Sequence, residues 1–163
     1  MTRLLMTLLC VVFAFGCQSV HQSPKAGLQG PASAMLDLYR NPTSKDKIFV
    51  EARLADGKPR LFLVDTGSSL STVSKDLAIE LQLAVTPRPG QIVGIGGSTQ
   101  WMGAVLPAFK IGPYTVRDLP VAVGVPGVPS HVGIVPLAGI LGNDVLGQFQ
   151  VIVDYPANRL HIA

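Results

Sequence analysis

Charge is scarce in this chain. Only 14% of its 163 residues are charged, and 13 Lys and Arg against 10 Asp and Glu leave a net charge of +3. The basic residues are scattered and no aromatic-basic stripe accompanies them, which argues against nucleic-acid binding. Cysteine is almost missing, with Cys10 and Cys17 the only two. The three histidines, His21, His131 and His161, are too far apart to share a metal-ligand spacing, so no metal or other cofactor is expected. No apolar run reaches the ~20 residues that a membrane-spanning helix needs. No internal repeat and no long helical period occurs. What the chain does have is apolar residues (48%), 17 Gly and 13 Pro. That composition suits one folded domain built from short strands and many turns.

Residues 1–16 read as a targeting segment: Arg3 supplies the positive region and "LLMTLLCVVFAF" (4–15) the apolar one. The segment ends in "AFGC" (14–17), which resembles a bacterial lipobox. That resemblance implies cleavage before Cys17, lipidation of Cys17 and attachment to a bacterial envelope membrane, facing the periplasm. Gln18 follows the cysteine, where Asp would favour the inner membrane, so the outer membrane is the expected address. An ordinary secretory signal and an uncleaved anchor are the alternatives. Cys10 would leave with the signal, so no disulfide forms within a mature chain.

Residues 17–45, rich in Gln, Ser, Pro, Gly and Ala, read mostly as a tether. Within them "AMLDLYR" (34–40) is a candidate docking helix or arm. The domain itself is expected over 46–163. Alternation begins with the strand "KIFVEARL" (47–54), turns at Asp56-Gly57, and returns as "PRLFLVDTG" (59–67). Over 74–83 the period shifts to helical, with Ser74 as N-cap and Leu77, Ala78 and Leu81 on one face. "QIVGIGGSTQW" (91–101) reads as a hairpin with a glycine tip. Residues 104–125 read as strands broken at Gly112-Pro113. "GILGNDVLGQF" (139–149) reads as a strand end and a short helix capped at Asn143, and 150–162 as a last hairpin turning at Pro156-Ala157-Asn158.

One feature needs a chemical reason. "FLVDTGSSLSTVS" (62–74) runs apolar residues straight up to a carboxylate, Asp65. A carboxylate in such a setting is costly unless paired, hydrogen-bonded or put to use. Asp65-Thr66-Gly67, the later "GILGND" (139–144) and the intervening "IVGIGGS" (92–98) together resemble, in order and spacing, the retropepsin-like aspartic proteases. The resemblance covers about residues 46–162. It implies an all-β, retropepsin-like acid protease barrel with a flap hairpin and one or two short helices.

The resemblance also implies roles. Asp65, Thr66 and Gly67 would form the catalytic loop, with Gly67 allowing a tight turn and the Thr66 hydroxyl bracing two such loops. Ser68, Gly94, Ile95, Gly96 and Gly97 would contact substrate, the last four as the flap. Peptide hydrolysis of this kind uses two carboxylates sharing one proton. Asp-Thr/Ser-Gly occurs once; Asp144 and Asp154 lack the residues that follow it in a catalytic loop. The implied active form is therefore a homodimer with one Asp65 from each subunit. A Ser68 hydroxyl donating to the carboxylate would extend activity further into acid. Two positions depart from the retroviral pattern: Ser69 stands where an Asp is usual and Asn143 where an Arg is usual. Those residues bridge subunits in the family, so other contacts, such as the 150–162 hairpin, would have to join them. The expected function is an aspartic endopeptidase acting on extended peptides. The alternative is a lipoprotein of the same fold that binds extended peptides without cutting them, or a structural envelope lipoprotein with no groove.

Overall fold

The computed structural model describes residues 27–40, 47–94, 96–126, 130–132 and 134–163. The targeting segment, Cys17 and Ile95 lie outside the described residues. The strands in chain order are β1 (Gly27–Gln29), β2 (Ala34–Asp37), β3 (Tyr39–Arg40), β4 (Ile48–Leu54), β5 (Pro59–Val64) and β6 (Thr72–Val73). After the helix α1 (Lys75–Glu80) come β7 (Thr86–Gly94), β8 (Gly97–Ile111), β9 (Tyr114–Val123), β10 (His131–Val132) and β11 (Val135–Leu141). The chain finishes with α2 (Asn143–Leu146), β12 (Val151–Asp154) and β13 (Arg159–Ile162).

Local chemistry makes the hairpins. Gly57 takes a φ of 74° at the β4–β5 turn, a conformation that a side chain disfavours. Asp56 steadies the same turn by accepting the Lys58 N–H at 3.1 Å. Gly112 turns β8 into β9, and Asp154 Oδ1 accepts the Ala157 N–H where β12 turns into β13. Ser74 caps α1 by accepting the Leu77 N–H at 3.1 Å, which turns the apolar face of Leu77 and Ala78 into the core. Two boundaries differ from the sequence reading. The first helix ends at Glu80, short of residue 83, because Gln82 adopts a left-handed φ of 52° that stops the helical ladder. The second is capped by Gly142 instead of Asn143, with no side-chain cap bond.

Six strands close the barrel in the order β9-β6-β11-β5-β4-β8, β8 pairing back to β9. The fold is therefore the all-β barrel expected. Its centre is filled by Val50, Leu106, Phe109, Val116 and Leu119, each at most 1% exposed. Burying each of the larger ones stabilises the domain by about 1.5–3 kcal/mol. The stretch read as tether contributes strands: β1 pairs with β9, β3 with β4, and β2 with β13 in a separate three-stranded sheet, β12-β13-β2. These strands carry little alternation of their own. Pairing partners far along the chain, and the burial of Leu36 and Leu38 in the common core, hold them in place.

The feature that positions the site is the insertion of β11 between β5 and β6. β11 runs parallel to β5 and antiparallel to β6, so the loop carrying Asp65 must cross over its end. The crossing is tight. A Cβ on Gly139 would lie 1.9 Å from the Thr72 carbonyl oxygen, and one on Gly142 2.7 Å from the Leu70 carbonyl carbon. Only glycine fits at either position, which is the physical meaning of the "GILG" run.

Candidate active site

Asp65 leaves the end of β5 half-buried, and its own N–H is fastened to the Leu141 carbonyl of β11 at 3.1 Å. The chain then turns back on itself. Gly67 N–H donates to Asp65 Oδ1 at 2.9 Å, and Ser68 N–H donates to the Asp65 carbonyl at 3.2 Å. Gly67 does not adopt a positive φ. Its lack of a side chain matters for another reason: a Cβ there would sit 3.2 Å from Asp65 Oδ1 and crowd that bond. Thr66 is exposed, and its hydroxyl has no hydrogen-bond partner among the described residues.

Ser68 departs from expectation. Its hydroxyl donates to the Leu70 carbonyl at 2.9 Å and not to the Asp65 carboxylate. The loop bends over β11 at this point, which turns the Leu70 carbonyl back within reach. Ser68 still belongs to the site through its own carbonyl, which accepts the Asn143 N–H at 2.7 Å. Ser69 and Asn143 are both exposed.

Sequence reasoning passed over two residues that hold this loop. Asp144 accepts the Ser71 N–H on Oδ2 at 3.0 Å, and the Ser71 hydroxyl on Oδ1 at 2.7 Å. Oδ1 also takes the Val145 N–H at 3.0 Å. The Ser71 oxygen in turn accepts the Gly142 N–H at 3.0 Å. Ser71 is 2% exposed, so Asp144 satisfies donors that would otherwise be buried without partners. Its signal in the sequence was weaker than that of Asp65: Gly142 and Asn143 stand between Asp144 and the apolar run of β11. Asp144 is not free for the chemistry of Asp65, because both of its oxygens are occupied by donors of its own chain.

The glycine hairpin forms as expected, with Gly94 opposite Gly97 at the β7–β8 tip and Gly96 exposed between them. The tip rests on the segment after β9: a Cβ on Gly94 would lie 3.2 Å from the Pro126 carbonyl oxygen and 3.5 Å from Val125 Cγ1. No hydrogen bond joins it to the Asp65 loop among the described residues. Trp101, farther down β8, is half-buried, with its Nε1 buried and without a partner among the described residues. Among the described residues no group of His, Cys, Asp and Glu is arranged to hold a metal ion.

A cavity of about 720 Å³ lies elsewhere, over the start of β5 and along α1, lined by Leu61, Leu77, Leu137 and the charged Lys58, Arg60 and Glu80. Arg60 binds Asp56 with both guanidinium nitrogens at 2.8 Å and also reaches Glu80 at 2.8 Å. The Arg60 hydrogen bond chiefly lowers Asp56 to about 2. Lys58, followed by Arg60, holds Glu80 below the usual carboxylate range.

A carboxylate on a turn laced to an apolar-apolar-Gly strand, in a six-stranded barrel with a glycine hairpin, is a specific arrangement. Residues 50–145, more than half of the chain, match the family described as Aspartyl protease. The chain belongs to the aspartyl protease family. The match takes in both Asp65 and the Gly139–Asp144 segment. Among solved structures, the retropepsin-like aspartic protease from Rickettsia conorii superposes with a TM-score of 0.58 at 18% identity, covering 85% of this chain and 94% of that one. The EIAV protease complexed with the inhibitor HBY-793 gives a TM-score of 0.46 at 19% identity, over 68% of this chain and 92% of that one. The fold is thus retropepsin-like. No curated protein matches the sequence.

Proposed function

We propose that this aspartyl protease family member is an endopeptidase that works as a homodimer, each subunit supplying one Asp65. The observation that carries the reading is the contrast between its two site carboxylates. Asp144 is saturated with donors from Ser71 and Val145, whereas the Asp65 carboxylate receives only the Gly67 N–H among the described residues. A second reactive carboxylate therefore has to come from a second copy, and the exposed Thr66 hydroxyl is free to meet its counterpart there. Substrate enters as an extended strand under the β7–β8 flap, held by backbone hydrogen bonds.

The two carboxylates share one proton. The ionised one takes a proton from a water whose oxygen bonds to the scissile carbonyl carbon. The protonated one gives its proton to the carbonyl oxygen, producing a tetrahedral diol. Transfer of a proton to the nitrogen then breaks the C–N bond and releases acid and amine. Cys17 carries the lipid that holds the enzyme on the periplasmic side of a bacterial envelope membrane, the outer one by preference. Tethering two copies to one surface raises their effective concentration and supports the dimer.

The test is a peptide library incubated with the protein and with Asp65→Asn from acidic to neutral pH, new termini being read by mass spectrometry. Cleavage confined to the unmodified protein establishes the reading. No cleavage, or equal cleavage by both, replaces it with a peptide-binding lipoprotein of protease fold. Incorporation of labelled fatty acid, lost in Cys17→Ser, tests the anchor.

A further inference from the structure

The ladder between β5 and β11 contains an irregularity. Leu137 pairs with Leu61 and Gly139 with Phe62, so Ala138 is an extra residue without a partner on β5. A bulge of this kind bends its strand. Over the bend lies the cavity of about 720 Å³, floored by Leu61, Leu77 and Leu137 and walled by Tyr39, Val135 and Pro136. Leu77 and Leu137 are each 4% exposed, so the floor is deep. Its size is that of natural ligand sites, which are likewise mainly apolar with a few polar groups.

The charged groups at its mouth differ in how far they are committed. Arg60 spends its guanidinium on Asp56 and Glu80, and its side chain is only 11% exposed. Lys58 lies on the same Glu80 oxygen, at 3.0 Å. Lys75 lies over Gly124 and does not line the cavity. On the acidic side, Glu80 and Glu51 each use one oxygen, Glu51 on Arg53, and the second oxygen of each is open among the described residues. Asp76, in the first turn of α1, is exposed and has no partner among the described residues. The cations that line the mouth are thus closed, and carboxylate oxygens remain unspent. Glu51, Asp56, Asp76 and Glu80 also outnumber Arg53, Lys58 and Arg60.

We propose that this cavity is a second peptide-recognition site, taking a lysine or arginine flanked by large apolar residues from a substrate protein. The cation meets Asp76 and the open oxygen of Glu80, and its apolar neighbours fill the leucine floor. An acidic residue in its place would face Asp76 and two cations already held. This rests on the endopeptidase reading above and adds a class of substrate to it. β5 sets the offset between the two sites. Leu61 precedes Asp65 by four residues, about 13 Å along the strand. An extended substrate therefore reaches the cavity no sooner than four residues from the bond that is cut. Holding a second segment of the same chain raises the effective concentration of the scissile bond at Asp65.

The experiment uses the full chain with Asp65→Asn, in detergent, so that bound peptide stays whole. The probes are fluorescein-Gly-Gly-Phe-Lys-Leu-amide and the same peptide with Glu in place of Lys, followed by fluorescence anisotropy. The Lys peptide is expected to bind about tenfold more tightly than the Glu peptide, a difference of about 1.4 kcal/mol. Adding Asp76→Lys is expected to weaken the Lys peptide about tenfold and to tighten the Glu peptide, a gain that an unfolded variant would not show. Val135→Trp, which fills the mouth, is expected to weaken the Lys peptide with an unchanged Tm. Equal binding of the two peptides, or no response of the Lys peptide to either substitution, overturns the proposal. In the chain that keeps Asp65, Asp76→Lys should lower kcat/KM about tenfold for peptides carrying Phe-Lys-Leu four or more residues from the cut bond, and leave peptides without it unchanged. Cleavage by a chain that does not bind the Lys peptide refutes this site alone. Binding that responds to Asp76→Lys, with no cleavage of any peptide, refutes the endopeptidase reading alone.

Discussion

Replacing Asp144 tests whether the catalytic loop is held from behind. Asp144→Ala removes the acceptors of the Ser71 N–H and of the Ser71 hydroxyl. Val145 N–H keeps a partner, the Gly142 carbonyl at 3.2 Å, so its loss counts for little. The two bonds from Ser71 go to a charged acceptor, and the Ser71 N–H has no route to water. Losing them is expected to destabilise by about 3–5 kcal/mol. For a chain of this length, that lowers Tm by roughly 6–20 °C. Asp144→Asn keeps an oxygen for the Ser71 N–H and an amide that can donate to the Ser71 oxygen, so about 1–2 kcal/mol is expected. The assay is thermal unfolding by circular dichroism for both variants, for Ser71→Ala and for Ser71→Ala/Asp144→Ala. The double variant should be more stable than the sum of the single losses by about 1–3 kcal/mol, because the second change removes nothing that the first has left. Additive losses, or a fall of less than about 1 kcal/mol in Asp144→Ala, would refute the assignment.

Three further outcomes are expected. Gly139→Ala has to push the Thr72 carbonyl out of the way and should cost at least about 3 kcal/mol, whereas Gly57→Ala meets nothing within 4 Å and should cost about 1 kcal/mol, from its positive φ; equal Tm values in the two would deny the close crossing. Asp56, held near 2 against an ordinary 3.8, and Glu80, also lowered, stabilise the fold fully above their unfolded values and lose that contribution as pH falls. The Tm gap between the native chain and Arg60→Gln should therefore stay constant above about pH 5 and close as pH falls toward 2; a gap that widens in acid would reverse the sign. Ser68→Ala forfeits the bond to Leu70 and should lower stability by about 1 kcal/mol without moving the acid limb of a pH–activity profile, and a moved limb with an unchanged Tm would return the hydroxyl to Asp65.

What could be read from the sequence was local. The turns at Asp56-Gly57, Gly112-Pro113 and Pro156-Ala157-Asn158, and the Ser74 cap, depend on residues within four positions of one another, and each formed where it was expected. Residues 27–40 resisted because "AMLD" carries no period: β2 exists only because β13, at the far end of the chain, offers it a ladder. Asp144 resisted for the same reason, since its partner Ser71 lies 73 residues away and the search for a following Thr-Gly passed it by. The criterion that singled out Asp65, a carboxylate reached through apolar residues, applies less directly to Asp144, which Gly142 and Asn143 separate from its apolar run. The two separate fully only when their donors are known. Asp144 has three, all from its own chain, and a carboxylate so occupied is a fastening. Asp65 has one, from the turn that presents it, and Asp65→Asn should leave Tm within about 1 kcal/mol of the native chain while Asp144→Ala does not. If both substitutions unfold the domain equally, the distinction between a structural and a reactive carboxylate fails with them.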